Sequence, residues 1–302
     1  MPSGLKKDVY EELRNSVNVI IHNAWKLDFN LSLSSFEPNV QSTRNLIDLA
    51  RSSEHASSLR FLFTSSISSA FSWDRTLGPY PEAIVTDAKY AVGNGYGESK
   101  YVAERDKYVV ANPTEPGQSR IGCPSWSNQA LNWMLFPPRL GHDAACFLDA
   151  MDAVSQSILD VAFSKADEPA LNIVHPNPLA WDEIMAPINE AIVREGIVEQ
   201  KLPIVEFQTW FSALEAKSHD ASEEDISAIP AIKLLEFFRT MAQVDVALRQ
   251  QGNDKVESGG LPTLSTSRVQ EISDTMKGLP KLAPSDTALW VQYWKHVGLF
   301  RV

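Results

Sequence analysis

Cysteine is scarce in this sequence. Two residues, Cys123 and Cys146, serve 302 positions, too few for a disulfide framework. The six histidines (22, 55, 142, 175, 219 and 296) are scattered. With no Cys/His spacing of a zinc site, no metal is predicted. Positive charge is short as well. Against 38 Asp and Glu stand 27 Lys and Arg, a net charge of -11, which argues against a nucleic-acid or anionic-membrane surface. No apolar run reaches transmembrane length. The opening Met1-Pro2-Ser3-Gly4-Leu5-Lys6 lacks the hydrophobic stretch of a signal peptide, so a cytoplasmic location is the default expectation. Nor are the 14 glycines gathered anywhere into a Gly-rich turn between a strand and a helix.

What is present reads as a soluble α/β chain. Hydrophobic residues make up 44% and charged residues 22%, ordinary for a globular protein of one large or two modest domains. Leu5, Val9 and Leu13 recur at helical spacing over residues 5–15. Val17-Asn18-Val19-Ile20-Ile21 is β-branched and apolar, as in a buried strand. A helix is predicted over 38–51, then a strand at Leu59-Arg60-Phe61-Leu62-Phe63 running into Thr64-Ser65-Ser66. Ser119-Arg120-Ile121-Gly122, a helix at 152–164 and a strand at 170–174 extend the pattern. Strand alternating with helix predicts a Rossmann-like, doubly wound parallel sheet. From about residue 176 the chain turns mainly helical. The predicted division is therefore 1–175 for the sheet domain and 176–302 for a helical subdomain. In the last helix, Leu289, Trp290, Tyr293, Trp294 and Val297 repeat at core spacing, and Ser267 and Ser285 are predicted caps.

The most informative stretch is Gly95-Tyr96-Gly97-Glu98-Ser99-Lys100. Tyr96 and Lys100, four residues apart, share one face of a helix. An ammonium beside a phenol favours the phenolate and makes the hydroxyl a usable proton donor. Tyr-x-x-x-Lys is common by chance and a serine-rich strand end is usually only a turn. Together, in order, on an α/β frame, they are more specific. A Ser66 (or Ser65) hydroxyl could hold a carbonyl oxygen while Tyr96 protonates it, at the carboxyl ends of strands where parallel sheets gather their functional residues.

This ordered set resembles the extended short-chain dehydrogenase/reductase family. Val19-Ile20-Ile21-His22-Asn23-Ala24-Trp25, Phe61-Leu62-Phe63-Thr64-Ser65-Ser66 and Ile229-Pro230-Ala231-Ile232-Lys233 narrow the resemblance further. They are similar to the thioester-reductase domains of fungal adenylate-forming reductases and carboxylic-acid-reductase-type enzymes. The resemblance implies catalysis by Ser66, Tyr96 and Lys100. It implies a cofactor cleft lined by Asn23, Ala24, Ser65 and Lys100, with Arg120, Ile121 and Gly122 near the nicotinamide. It also implies NADP as cofactor and, as partner, a thioester on the phosphopantetheine arm of a carrier protein, released as an aldehyde.

Two features depart from that family. Its Gly-rich βαβ unit for the dinucleotide pyrophosphate has no counterpart, so truncation at the N-terminus is expected. The segment 112–150, rich in Pro and Gly, does not follow the family pattern, as an altered splice or decayed coding region would not. Three functions follow: an NADP-dependent thioester reductase, a non-catalytic remnant or carrier-binding module, and a sugar-nucleotide epimerase or dehydratase.

Overall fold

The computed structural model describes residues 4–110, 118–122, 138–139, 145–146, 151–250 and 262–300. Most of the unpatterned 112–150 segment therefore lies outside the described residues. The strands β1 (Val19–His22), β2 (Arg60–Ser65), β3 (Gln118–Gly122) and β4 (Ala170–Asn172) form one parallel sheet in the order β1-β2-β3-β4. The predicted parallel sheet is what forms, with ends displaced by one to two residues. β2 runs on to Ser65 because Thr64 and Ser65 stay in register with Ile121 and Gly122.

Alternation along β2 builds two layers. Phe61 and Phe63 pack on one face with Ile47 and Ala50 of α2 (Glu37–Ser52) and Ala103 of α3 (Gly95–Val110). Leu62 points the other way, onto Leu171, Val269, Met276 and Val161 and Ala162 of α4 (Met151–Phe163). Helices on both faces make the sheet doubly wound. Its β1 margin is thinner. Ile21 is 38% exposed, and the first helix (Lys7–Ser16) buries none of its residues.

The chain divides into two compact units. The first holds Met1–Pro124, Asp149–Pro176 and Pro262–Leu279; the second holds Ser125–Leu148, Asn177–Leu261 and Pro280–Val302. Sequence reading gave all of 176–302 to the second unit, whereas 262–279 returns to the first. The tie is physical. Glu82, buried, accepts hydrogen bonds from the backbone N–H groups of Arg268 (2.7 Å), Val269 (3.0 Å) and Asn172 (3.3 Å). That carboxylate, rather than the predicted Ser267 cap, satisfies the start of the helix Ser267–Ile272, whose N-cap makes no side-chain bond.

The second unit is mainly helical. Ile184, Met185, Ile188 and Ile192 of the helix Trp181–Arg194 pack with Phe207, Phe211, Phe238, Val291 and Trp294. The helix runs through Pro187. The last helix (Pro284–His296) differs from expectation: Thr287, Val291 and Trp294 are its buried residues, while Leu289, Tyr293 and Val297 are 62%, 54% and 53% exposed. Its start is held by Asp286 accepting from the Ala283 N–H, not by Ser285. Among the described residues no helix is long and apolar enough to cross a membrane.

Candidate active site

α3 begins at Gly95, and its first turn is wedged against two neighbours. A Cβ on Gly95 would stand 2.3 Å from the Leu31 carbonyl oxygen, and one on Gly97 2.2 Å from that of Ser68. Both separations are impossible for real atoms, so only glycine fits on either side of Tyr96. Gly93, at φ 155°, faces Phe71 at 2.3 Å in the same way. These glycines let the helix start approach two backbones.

The close approach brings together the turn after β2 and the Tyr96 helix. Ser66 is in extended backbone and caps a short 3-10 turn (Ile67–Ala70), its Oγ accepting from the Ser68 N–H at 3.2 Å. No acceptor for the Ser66 hydroxyl hydrogen is found among the described residues. Ser65 is spent differently: its fully buried hydroxyl donates to Glu104, one helical turn beyond Lys100. Sequence alone left Ser65 and Ser66 as alternatives, and their bonding separates them.

Lys100 lies under the same turn. Its Nζ donates to the Thr64 carbonyl oxygen at 2.7 Å and sits 4.5 Å from the ring centre of Trp25, 4.9 Å from Phe63 and 5.9 Å from Tyr96. Tyr96 is packed edge-on by Phe29 (5.1 Å) and Phe36 (6.1 Å). Tyr96 and Lys100 are each only 2% exposed, so the pair is closed beneath the segment that follows β1.

Asn23 and Ala24 follow β1 and are exposed. Arg120, Ile121 and Gly122 lie in β3, in register with Phe63, Thr64 and Ser65; their side chains lie outside the described residues. His22, Trp25, Ser99 and Glu104 were not predicted for the site, yet all four belong to it by contact. The only signal in sequence was position: Glu104 is one turn after Lys100, and His22 and Trp25 flank Asn23-Ala24. Thr43 Oγ1 gives its hydrogen to the Asn39 carbonyl (3.1 Å), so His22 Nε2, 3.0 Å away, must be the donor between them. Burial, helped by the Lys100 charge, lowers the His22 pKa from 6.5 to about 4, leaving the ring neutral.

The parallel doubly wound sheet is that of a Rossmann-like reductase domain. Residues 2–111 match the sequence family described as "Male sterility protein", an NAD-binding family. Over 98% of its length the chain is 46% identical to adenylate-forming reductase Nps11 of Serpula lacrymans and 44% identical to Nps9 of the same fungus, spanning 28% of each. The terminal R domain of the myxalamid PKS-NRPS pathway shares the fold at TM-score 0.69 and 20% identity, over 99% of this chain and 73% of that one. The chain is thus similar in sequence to about a quarter of the length of these adenylate-forming reductases and shares the fold of the terminal R domain.

Proposed function

We propose that this chain carries the carbonyl-activating half of an NADP-dependent reductase that releases a carrier-bound thioester as an aldehyde. The observation that carries it is the buried Lys100–Tyr96 pair against the turn of Ser66, whose hydroxyl hydrogen has no acceptor among the described residues. Ser66 donates to the thioester carbonyl oxygen, and Tyr96 donates to the same atom as negative charge develops there. Lys100, held on the Thr64 carbonyl, keeps positive charge beside the phenol and is the group that would reach a nicotinamide ribose. Bound NADPH supplies the hydride. The hemithioacetal oxygen then takes the Tyr96 proton, and its collapse gives aldehyde and free thiol. The nicotinamide end of the cofactor therefore suits these residues. For the pyrophosphate end the sequence offers no Gly-rich turn between a strand and a helix, and Gly93, Gly95 and Gly97 pack against Phe71, Leu31 and Ser68.

The partner in this reading is the phosphopantetheine thioester of a carrier protein. Support comes from the adenylate-forming reductases and the terminal R domain it resembles. The test is a chimera in which this chain replaces the matching region of Nps11. It should release aldehyde with NADPH in preference to NADH, and Tyr96→Phe or Ser66→Ala should cut kcat by about 100-fold or more. A folded chimera without aldehyde release would sink the proposal. It would leave the second assignment, a non-catalytic remnant, which the closure over Tyr96 and Lys100 favours.

A further inference from the structure

We infer that Trp25 is a positioning residue for the reactive pair, holding Lys100 and the backbone of Tyr96 with one side chain. The inference rests on the reading of Tyr96 and Lys100 as the proton-donating pair. Trp25 lies three residues past the end of β1, half-buried, in a segment that sequence reading gave only to cofactor contacts. Its ring lies 4.5 Å from Lys100 Nζ, nearer than Phe63 or Tyr96. An ammonium over an indole face is drawn by the ring quadrupole, most strongly where water is excluded. Lys100 is almost fully buried.

The other end of the indole is also engaged. Nε1–H donates to Ser99 Oγ at 3.2 Å, and Ser99 Oγ donates to the Tyr96 carbonyl oxygen at 2.7 Å. A relay of two hydrogen bonds therefore links the ring beneath the ammonium to the residue bearing the phenol. Trp25 itself is braced edge-on by Phe63 (5.5 Å) and tilted against His22 (6.0 Å). Plain packing would need only an apolar ring here. The geometry uses both the π face and the N–H, each toward a different member of the pair.

Two readouts decide it. The full chain is labelled with 13C at lysine Cε, and the Lys100 signal is assigned by its loss in Lys100→Arg. That signal should lie upfield of the other lysines through the ring current of Trp25. It should move most of the way toward the common position in Trp25→Leu, where only the Phe63 and Tyr96 rings remain, and stay largely shifted in Trp25→Phe. In the Nps11 chimera, Trp25→Leu should lower kcat at least tenfold with thioester KM within twofold. Trp25→Phe, which keeps a ring but loses the N–H to Ser99, should fall between Leu and the parent. A Phe variant equal to the parent would reduce Trp25 to plain packing. Melting curves show which variants fold, and the Phe variant serves if the Leu variant does not. An unshifted Lys100 signal in the parent, or a Phe variant as impaired as Leu, would overturn the role. An inactive parent chimera would refute the proposed reaction instead, and the lysine signal would still decide the placement of Lys100.

Discussion

The end of β1 and the start of α3 hold buried polar groups of the candidate site. His22 is held neutral by burial and by the neighbouring Lys100 charge, with its pKa lowered to about 4. The unfolded chain, titrating near 6.5, takes up the proton first as pH falls. His22 therefore stabilises the fold fully above about pH 6.5, and that contribution is lost between there and pH 4, roughly 3 kcal/mol in all. Melting temperature measured across this window should fall less steeply in His22→Gln than in the parent. Equal slopes would mean that His22 takes up its proton at the same pH in the folded and unfolded chains. The spacing of Tyr96 and Lys100 showed that the two side chains meet, because a helical turn fixes which side chains share a face. Only with the serine-rich strand end did it point to a site. Sequence also showed that Gly93, Gly95 and Gly97 precede a helix and follow no strand. It could not show what fills their Cβ positions, since Leu31, Ser68 and Phe71 arrive from other parts of the chain.

Among the elements, periodicity announced the strands and helices well but misjudged their ends and partners. The last helix has apolar residues on more than one side, so its pattern could not say which side meets the core. Val291 and Trp294 do, and the Leu289-Tyr293-Val297 stripe does not. The helix Ser267–Ile272 carries a local serine that sequence reads as a cap, yet Glu82, 187 residues before Val269, performs that task. Such a long-range partner leaves no local signature. Burial pushes the Glu82 carboxyl up from its usual range, and the Arg268, Val269 and Asn172 N–H groups oppose that rise. Glu82→Ala would strand three backbone donors in the interior. Each unpaired group costs about 1–3 kcal/mol, so urea denaturation should show a loss of about 3 kcal/mol or more. Amide exchange at Arg268 and Val269 should quicken as well. A loss below about 1 kcal/mol would show that water or another acceptor replaces the carboxylate.

In the molecule as a whole, the proposed carbonyl site stands without a Gly-rich strand–helix turn for a pyrophosphate among the described residues. β1 pairs only with β2 among the described residues, and Ile21 stands half uncovered beside it. Dinucleotide affinity in folds of this type comes largely from the pyrophosphate at a helix N-terminus and from contacts to the adenosine ribose. At the glycine-rich start of α3, Cβ positions on Gly93, Gly95 and Gly97 would meet Phe71, Leu31 and Ser68, so these glycines serve close packing. Lys100 can still offer a charged hydrogen bond to the nicotinamide ribose, worth about 1.5–3 kcal/mol. Micromolar binding needs about 8 kcal/mol. Part of that small gain is also spent in moving Trp25, Phe29 and Phe36 away from a pair that is 2% exposed. Calorimetric titration of this chain with NADPH should therefore give no saturable heat below millimolar concentration, and no reduction of a coenzyme A thioester should follow. A micromolar dissociation constant abolished by Lys100→Ala would reverse that expectation. It would mean that this chain builds a pyrophosphate site from residues outside the glycine-rich start of α3, and that the site functions without further polypeptide.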